Sequence, residues 1–353
     1  MTLSPLTRKK FNRFRAIKRG WWSFVILGVF YSLSLVAELL VNNRAIVVKY
    51  EGEWYFPTYG AFHPGIDFGE TYNYEANYRA LREKFRQENR GNWVLMPPVP
   101  YGPQENDFLQ GKNPPSPPDF GHQHYFGTDP TGRDVLARVV YGFRIGMTFA
   151  LAFTVAVYLI GVVIGCAMGY FGGWVDLLGQ RLVEIWSNIP FLYMVIIAVS
   201  LTPAEVGTVA RVALLLIVMV AFSWSDKTYY MRTVTYKEKA RDYTAAAQLL
   251  GAGPFRILFR HIFPNTVATL VTFLPFTVAG AISLLTALDF LNFGLPKPTP
   301  SWGELLEIGL GHTHAPWIVT SAVLAIFLVL LLVTFVGEAV REAFDPRKFT
   351  TYR

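Results

Sequence analysis

A single cysteine, Cys166, occurs in 353 residues, and it lies inside an apolar run. No disulfide within the chain is possible, and a thiolate-ligated metal site lacks ligands. Charge is also sparse, with 16% Asp, Glu, Lys and Arg against 52% hydrophobic residues and a mean hydropathy of +0.31. Ordinary soluble domains carry about 25% charged residues, so this balance excludes that class. No phosphate-binding loop is present. That motif needs flanking glycines followed by Lys and Ser or Thr, and Gly111-Lys112-Asn113 fails it. The chain is therefore expected to bind no ATP, to hold no cofactor and to be no enzyme. Histidine is scarce too. His122 with His124, and His312 with His314, each lack a nearby third ligand, so they are read as surface or interfacial residues and no metal is expected.

What the chain has is apolar length. About 20 mostly apolar residues cross a bilayer, and six segments qualify: 21–41, 144–169, 182–202, 206–224, 266–292 and 318–340. The first is too long for a cleaved leader and lacks a small-residue cleavage site, so it is read as retained. The net charge of +7 is concentrated before that span, in Arg8, Lys9, Lys10, Arg13, Arg15, Lys18 and Arg19. Short basic flanks mark the cytoplasmic side, which argues for a membrane setting and against nucleic acid. The basic loop 225–264 and the tail 341–353 agree with cytoplasmic N- and C-termini. Arg133, Arg138 and Arg144 oppose that orientation, because it places them at the outer face.

Residues 42–143 differ in character. They mix both charges with many aromatics and include the stiff run Asn113-Pro114-Pro115-Ser116-Pro117-Pro118. Disordered chains are aromatic-poor, so the segment is read as an external folded insert between the first two spans. Its end carries His124-Tyr125-Phe126-Gly127-Thr128-Asp129-Pro130-Thr131-Gly132-Arg133-Asp134. Gly127 and Gly132 permit tight turns, and Thr128 and Asp129 can cap a short helix. Val135, Leu136, Val139 and Val140 then give that helix an apolar face for the interface. Asp129, Arg133 and Asp134 are read as a salt-bridged elbow.

Two spans carry patterned faces. Gly161, Gly165 and Gly169 put three bare positions on one side of the second, where another helix can approach, within the subunit or across an interface. In the fifth, Thr269, Thr272, Phe276, Ala279, Ser283 and Thr286 recur at three- and four-residue steps. Such a stripe can line an aqueous pathway, or its hydroxyls can bond to preceding carbonyls and neighbouring helices. Pro275 can kink this span.

Between the fourth and fifth spans lies Asp242-Tyr243-Thr244-Ala245-Ala246-Ala247-Gln248-Leu249-Leu250-Gly251, followed by Arg256, Arg260, His261 and a closing Pro264. It reads as two short helices, the first ended by Gly251 in the left-handed conformation. This stretch resembles the coupling loop of ABC importer permeases, with Ala245 standing where that family usually has Glu. The elbow string resembles the signature of peptide and nickel permeases. Asp289-Phe290-Leu291-Asn292-Phe293-Gly294-Leu295, Pro298-Thr299-Pro300-Ser301-Trp302-Gly303 and Gly337-Glu338…Asp345-Pro346-Arg347 are similar to segments of dipeptide and oligopeptide permeases. Within the insert, Tyr50-Glu51-Gly52-Glu53-Trp54-Tyr55-Phe56-Pro57 and Asn92-Trp93-Val94-Leu95 look like the Yej-type branch, importers of peptides and microcin C in Gram-negative bacteria.

The resemblance implies an all-α, six-helix type I importer permease in the bacterial inner membrane, moving peptides from periplasm to cytoplasm. It implies a second, homologous permease, two ATP-binding subunits or one fused ATPase that hold ATP and Mg, and a periplasmic peptide-binding protein. A nickel or other small-solute permease of the same family is an alternative, and so is a secondary transporter, which would need no ATPase.

Overall fold

The computed structural model describes residues 5–108, 113–203 and 205–344, with side chains omitted at 5–7 and 267–269. Helices α1 (Pro5–Ala16) and α2 (Lys18–Leu35) come first, and α2 gives way to a 3-10 turn at Ala37–Leu39. The span expected over 21–41 therefore ends its regular helix at Leu35. The tail 345–353, with its Asp345-Pro346-Arg347, lies outside the described residues.

The insert contains an antiparallel sheet of β1 (Val47–Tyr50), β2 (Glu53–Tyr55) and β3 (Trp93–Leu95), in the order β2-β1-β3. Glu51 and Gly52 both have positive φ, 49° and 89°, the backbone that a two-residue hairpin requires. The expectation of an all-α chain thus fails locally. Val47, Val48, Tyr50, Trp54 and Tyr55, β-branched or aromatic residues around a tight turn, prefer a pleated, half-buried surface to a helix. Helix α3 (Tyr78–Glu88) is capped by Asn77, whose side chain accepts from the Ala80 amide at 3.1 Å. It packs Tyr78, Leu81 and Phe85 onto Val48, Phe68 and Val94, a core separate from that of the long helices.

Helix α4 (Val135–Phe171) runs 37 residues, capped by Asp134 and ended by Gly172 at φ 65°. A helix of that length reaches about 55 Å. No separate interfacial helix forms over 135–140. Nothing breaks the pattern after Asp134, so these residues are the buried first turns of α4, with Val135 and Ala137 fully enclosed.

Next come α5 (Gly173–Ser187) and α6 (Phe191–Ser200), bent by 70° where Pro190 stops the helix. The span expected over 182–202 is thereby split. Helix α7 (Thr208–Ser223) bends by 44° into α8 (Ser225–Lys239). Then follow α9 (Asp242–Leu249), α10 (Pro254–Ile257), one π turn (Leu258–Ile262) and α11 (Phe263–Val271). Helix α12 (Leu274–Phe290) starts after a break at Thr272–Phe273, with Pro275 in its first turn, where a missing N–H costs nothing. Helices α13 (Trp302–Gly311) and α14 (Pro316–Phe344) complete the described residues.

Among the described residues, α4 and α14 are each long and apolar enough to cross a membrane, and counting each bent pair as one span brings the total to four. Helix α4 is the axis of the core, with Phe149, Phe153 and Val157 packed among Met219, Ile282, Leu285 and Ile318.

Candidate coupling loop, elbow and pathway

Helix α8, the first part of the basic loop 225–264, is held along the C-terminal half of α4, because Gly161, Gly165 and Gly169 let its backbone close in. A Cβ at Gly161 would stand 2.6 Å from the Lys227 Cβ, at Gly165 2.5 Å from the Thr228 carbonyl oxygen, and at Gly169 2.6 Å from the Arg232 carbonyl oxygen. The glycine stripe is thus occupied within the subunit. Thr228, Met231 and Thr235 are buried there, while Arg232 reaches out to a short ion pair with Asp176. Asp176 also accepts from the Tyr236 hydroxyl at 2.9 Å, tying α5 to α8.

The far end of α8 positions the candidate coupling loop. Glu238 accepts from the Tyr243 hydroxyl at 2.6 Å and from the Arg241 guanidinium at 3.0 Å, and its carbonyl accepts from the Thr244 hydroxyl at 2.9 Å. Helix α9 ends in paired capping bonds, Gly251 N to Gln248 O at 2.9 Å and Ala252 N to Ala247 O at 3.0 Å, with Gly251 at φ 79°. Ala247 is buried against Met231, Ile257 and Ile262. Asp242, Ala245 and Ala246 face outward, as do Arg256 and Arg260, while His261 is half-buried. Leu249 and Leu250 are 89% and 88% exposed, and Phe255 and Phe259 are 69% and 63% exposed. Leu249 and Leu250 stand at the turn after α9, while Phe255 and Phe259 line an apolar groove with Val155, Leu159 and Val163 of α4, and the sequence pattern alone did not single them out. Pro264 does not close the segment. The chain stays helical from Pro254 to Val271, and the π turn just before Pro264 gives its ring the wider pitch it needs.

The elbow is a buried polar network. Asp129 is fully enclosed. One of its oxygens accepts from the Thr131 amide and hydroxyl at 2.8 and 2.7 Å and from the Arg133 amide at 3.0 Å, and the other accepts from the Arg133 Nε at 2.7 Å. Asp129 thereby organises the turn, and the helix cap falls to Asp134, whose Oδ1 accepts from the Ala137 amide at 2.7 Å. Asp134 lies where the chain is extended before the first helical turn, the position a cap requires. Thr128 takes the Ser116 amide at 2.9 Å on its hydroxyl, and its carbonyl takes the Trp317 indole at 3.0 Å. Gly127 and Gly132 hold φ of 71° and 81°, and a Cβ on Gly132 would lie 2.7 Å from the Asp107 carbonyl oxygen. Arg138 is fully buried and makes a short ion pair with Glu304, 166 residues away; Arg133 approaches the same carboxylate at 3.6 Å. Arg144 pairs with Glu38 at 2.7 Å. Each arginine that opposed the charge-based orientation therefore faces a carboxylate.

His124 corrects the surface reading of that residue. It is completely buried, with Nδ1 2.8 Å from Asp134 and Nε2 3.3 Å from Asp107, beneath the Tyr101 ring. Burial by itself would depress the imidazole pKa, but the bonds to Asp107 and Asp134 outweigh it and leave the pKa raised. The same bond to His124 holds the Asp107 carboxyl below its ordinary value, against its own burial. Asp107 was missed because no motif surrounds it. Glu304 was legible only as the residue after the Ser301-Trp302-Gly303 string. His122 is paired with Asp119 at 2.9 Å near the surface. The His312 and His314 rings lie 5.7 Å apart.

On α12 the stripe divides. The Ser283 and Thr286 hydroxyls donate to the carbonyls of Ala279 and Ile282 at 3.0 and 2.8 Å, so both bond to their own helix. Phe276 and Ser283 are exposed, Thr286 is half-buried, and Thr272 falls in the break before α12. The side chain of Thr269 lies outside the described residues.

Comparison with known proteins places this geometry. Residues 161–350 match the family of binding-protein-dependent transport system inner membrane components. The chain is 41% identical to the inner membrane ABC transporter permease protein YejE of Escherichia coli (strain K12), with 98% of each chain covered. It is 37% identical to the peptidoglycan transport system permease protein YejE of Agrobacterium fabrum, over 98% of this chain and 94% of that one. It is 33% identical to the oligopeptide transport system permease protein OppC of Lactococcus lactis, over 64% of this chain and 76% of the relative. The first two matches span the insert as well as the helical core. With its helices, glycine-packed α4–α8 pair and exposed loop tip, the chain belongs to the binding-protein-dependent inner membrane permeases of ABC transporters, and is a transport subunit and not an enzyme.

Proposed function

We propose that this chain is a permease subunit of an ATP-driven importer that carries peptides from periplasm to cytoplasm. The observation that carries the reading is 41% identity, across almost the whole chain, to a named ABC permease, supported by relatives named for oligopeptide and peptidoglycan transport. The partners are a second homologous permease, two ATP-binding subunits or one fused ATPase holding ATP and Mg, and a periplasmic binding protein. The reading takes six crossings, with α2, α4, α5–α6, α7, α11–α12 and α14 each as one. The N-terminus, the α9–α10 loop and the tail then lie in the cytoplasm, and residues 42–143 lie outside.

The tip is read as the ATPase-docking element. Leu249 and Leu250 are almost fully exposed, and an apolar groove on a partner would bury them. Asp242, Ala245 and Ala246 sit on the outward side of α9, where bulk would meet the partner. The exposed face of α12, with Phe276 and Ser283, is read as turned to the pathway shared with the second permease.

The test is reconstitution of the chain with its partners in proteoliposomes. ATP hydrolysis should rise several-fold when the binding protein is loaded with a short peptide. Hydrolysis that ignores peptide but responds to nickel would replace the cargo assignment.

A further inference from the structure

A cavity of about 270 Å³ opens between the α6–α7 hairpin and the segment joining α12 to α13. Its walls combine Val, Leu and Ala side chains with Arg211, Asp289, Asn292, Lys297, Ser301 and Glu304. Arg211 stands apart from the other arginines at this end of the bundle. Arg133, Arg138 and Arg144 each meet a carboxylate, whereas no ion pair is found for Arg211 among the described residues. It donates from Nη2 to the Pro203 carbonyl at 2.9 Å, and its Nε is shielded from solvent without a hydrogen-bond partner. A shielded guanidinium donor left unmade is costly, so a missing acceptor is implied.

The acids in the same wall do not supply it. Glu304 is engaged by Arg138 and Arg133, and Asp289 accepts from the Leu295 amide at 2.6 Å. Lys297, at the rim, leans toward Glu307 at 3.7 Å. The cavity therefore holds a guanidinium fork with one donor unmade and no ion pair of its own, in a ligand-sized space lined by apolar and polar side chains together. That combination selects a planar carboxylate on a small organic body.

We propose that this cavity is a carboxylate subsite that receives the C-terminal end of a transported peptide, with Arg211 forking its α-carboxylate. The proposal rests on the peptide-permease reading above. The test uses the complete permease–ATPase complex in lipid nanodiscs without binding protein, with radiolabelled trialanine and its C-terminal amide in equilibrium dialysis. The free acid should bind at least about tenfold more tightly than the amide, the range that a charged hydrogen bond provides. Arg211→Gln should bring the acid down to the affinity of the amide, and Arg211→Lys should recover part of the difference. Leu214→Phe, which narrows the cavity and keeps the charge, should weaken acid and amide together.

Equal wild-type affinities for acid and amide overturn the subsite, as does acid binding that Arg211→Gln leaves unchanged. Should Arg211→Gln fail to assemble, the wild-type acid-to-amide ratio and Leu214→Phe decide. Absence of binding in a complex that still hydrolyses ATP in response to peptide-loaded binding protein overturns the subsite and leaves the importer reading intact. A complex unresponsive to any peptide with binding protein present refutes the importer reading itself.

Discussion

Substituting Gly165 by alanine tests whether α8 is pinned to α4. The added Cβ would lie 2.5 Å from the Thr228 carbonyl oxygen, 2.6 Å from the Met231 Cβ and 3.0 Å from the Arg232 amide nitrogen. Two of those atoms are backbone and cannot rotate away, so the helices must separate. Gly146, on the same helix, is the control, because its Cβ would meet nothing within 4 Å. Both substitutions gain about 0.5–1 kcal/mol of helix propensity. Only Gly165→Ala incurs overpacking, which costs about 1–3 kcal/mol. The difference between the two variants isolates that cost, because propensity cancels. Thermal unfolding of the detergent-solubilised protein, followed by tryptophan fluorescence, should place Gly165→Ala several degrees below Gly146→Ala. Because α8 leads into α9, the same variant should also retain less ATPase on co-purification. A midpoint for Gly165→Ala equal to that of Gly146→Ala, with normal ATPase retention, would refute the packing argument.

Other outcomes follow from the same geometry. Gly251→Val forces a β-branched residue to a φ of 79°, at about 1–2 kcal/mol or more, while Ala246→Arg and Leu250→Asp alter only exposed positions. All three should reach the membrane and lose ATPase co-purification, and retention by all three would remove the loop from coupling. Glu304→Leu leaves Arg138 buried without its main partner, at about 3–5 kcal/mol, whereas Glu304→Leu with Arg138→Leu should recover much of that loss in the unfolding midpoint. The raised pKa of His124 gives a contribution that is full below its unfolded value of about 6.5 and is lost as pH rises through the folded value. The lowered pKa of Asp107 gives one that holds above about 3.9 and is lost as pH falls through its folded value. Wild type should therefore lose more stability between pH 6 and pH 8.5 than His124→Gln does, and parallel curves would exclude His124 as the source. In a background with Cys166→Ala, Gln104→Cys should react with impermeant maleimide added to intact spheroplasts, and protection there would reverse the orientation.

Much of this protein is legible in short strings. The lone cysteine, the low charge and the apolar runs point to a membrane protein, and the elbow, Ser301-Trp302-Gly303 and alanine–Gly251 strings carry the family. Gly251 adopts a left-handed φ and Pro190 ends a helix because each acts on its own backbone, within a few residues. The caps were less accessible. Asp129 and Asp134 are equally suited to capping, and the choice depended on which one the Arg133 turn consumed.

Tertiary structure decided what meets what. The glycine stripe on α4 could serve any helix, and contact with α8 is visible only once the chain bends by 44° after Ser223. Arg138 and Glu304 are 166 residues apart, and His124 joins Asp107 across a proline-rich stretch, so no local spacing announces either pair. Composition and local backbone preference determine membrane residence, turns and breaks, because those energies are summed over neighbours in sequence. Buried charge pairing and close helix approach are determined by which faces are removed from water together, and only the folded chain brings those faces into contact.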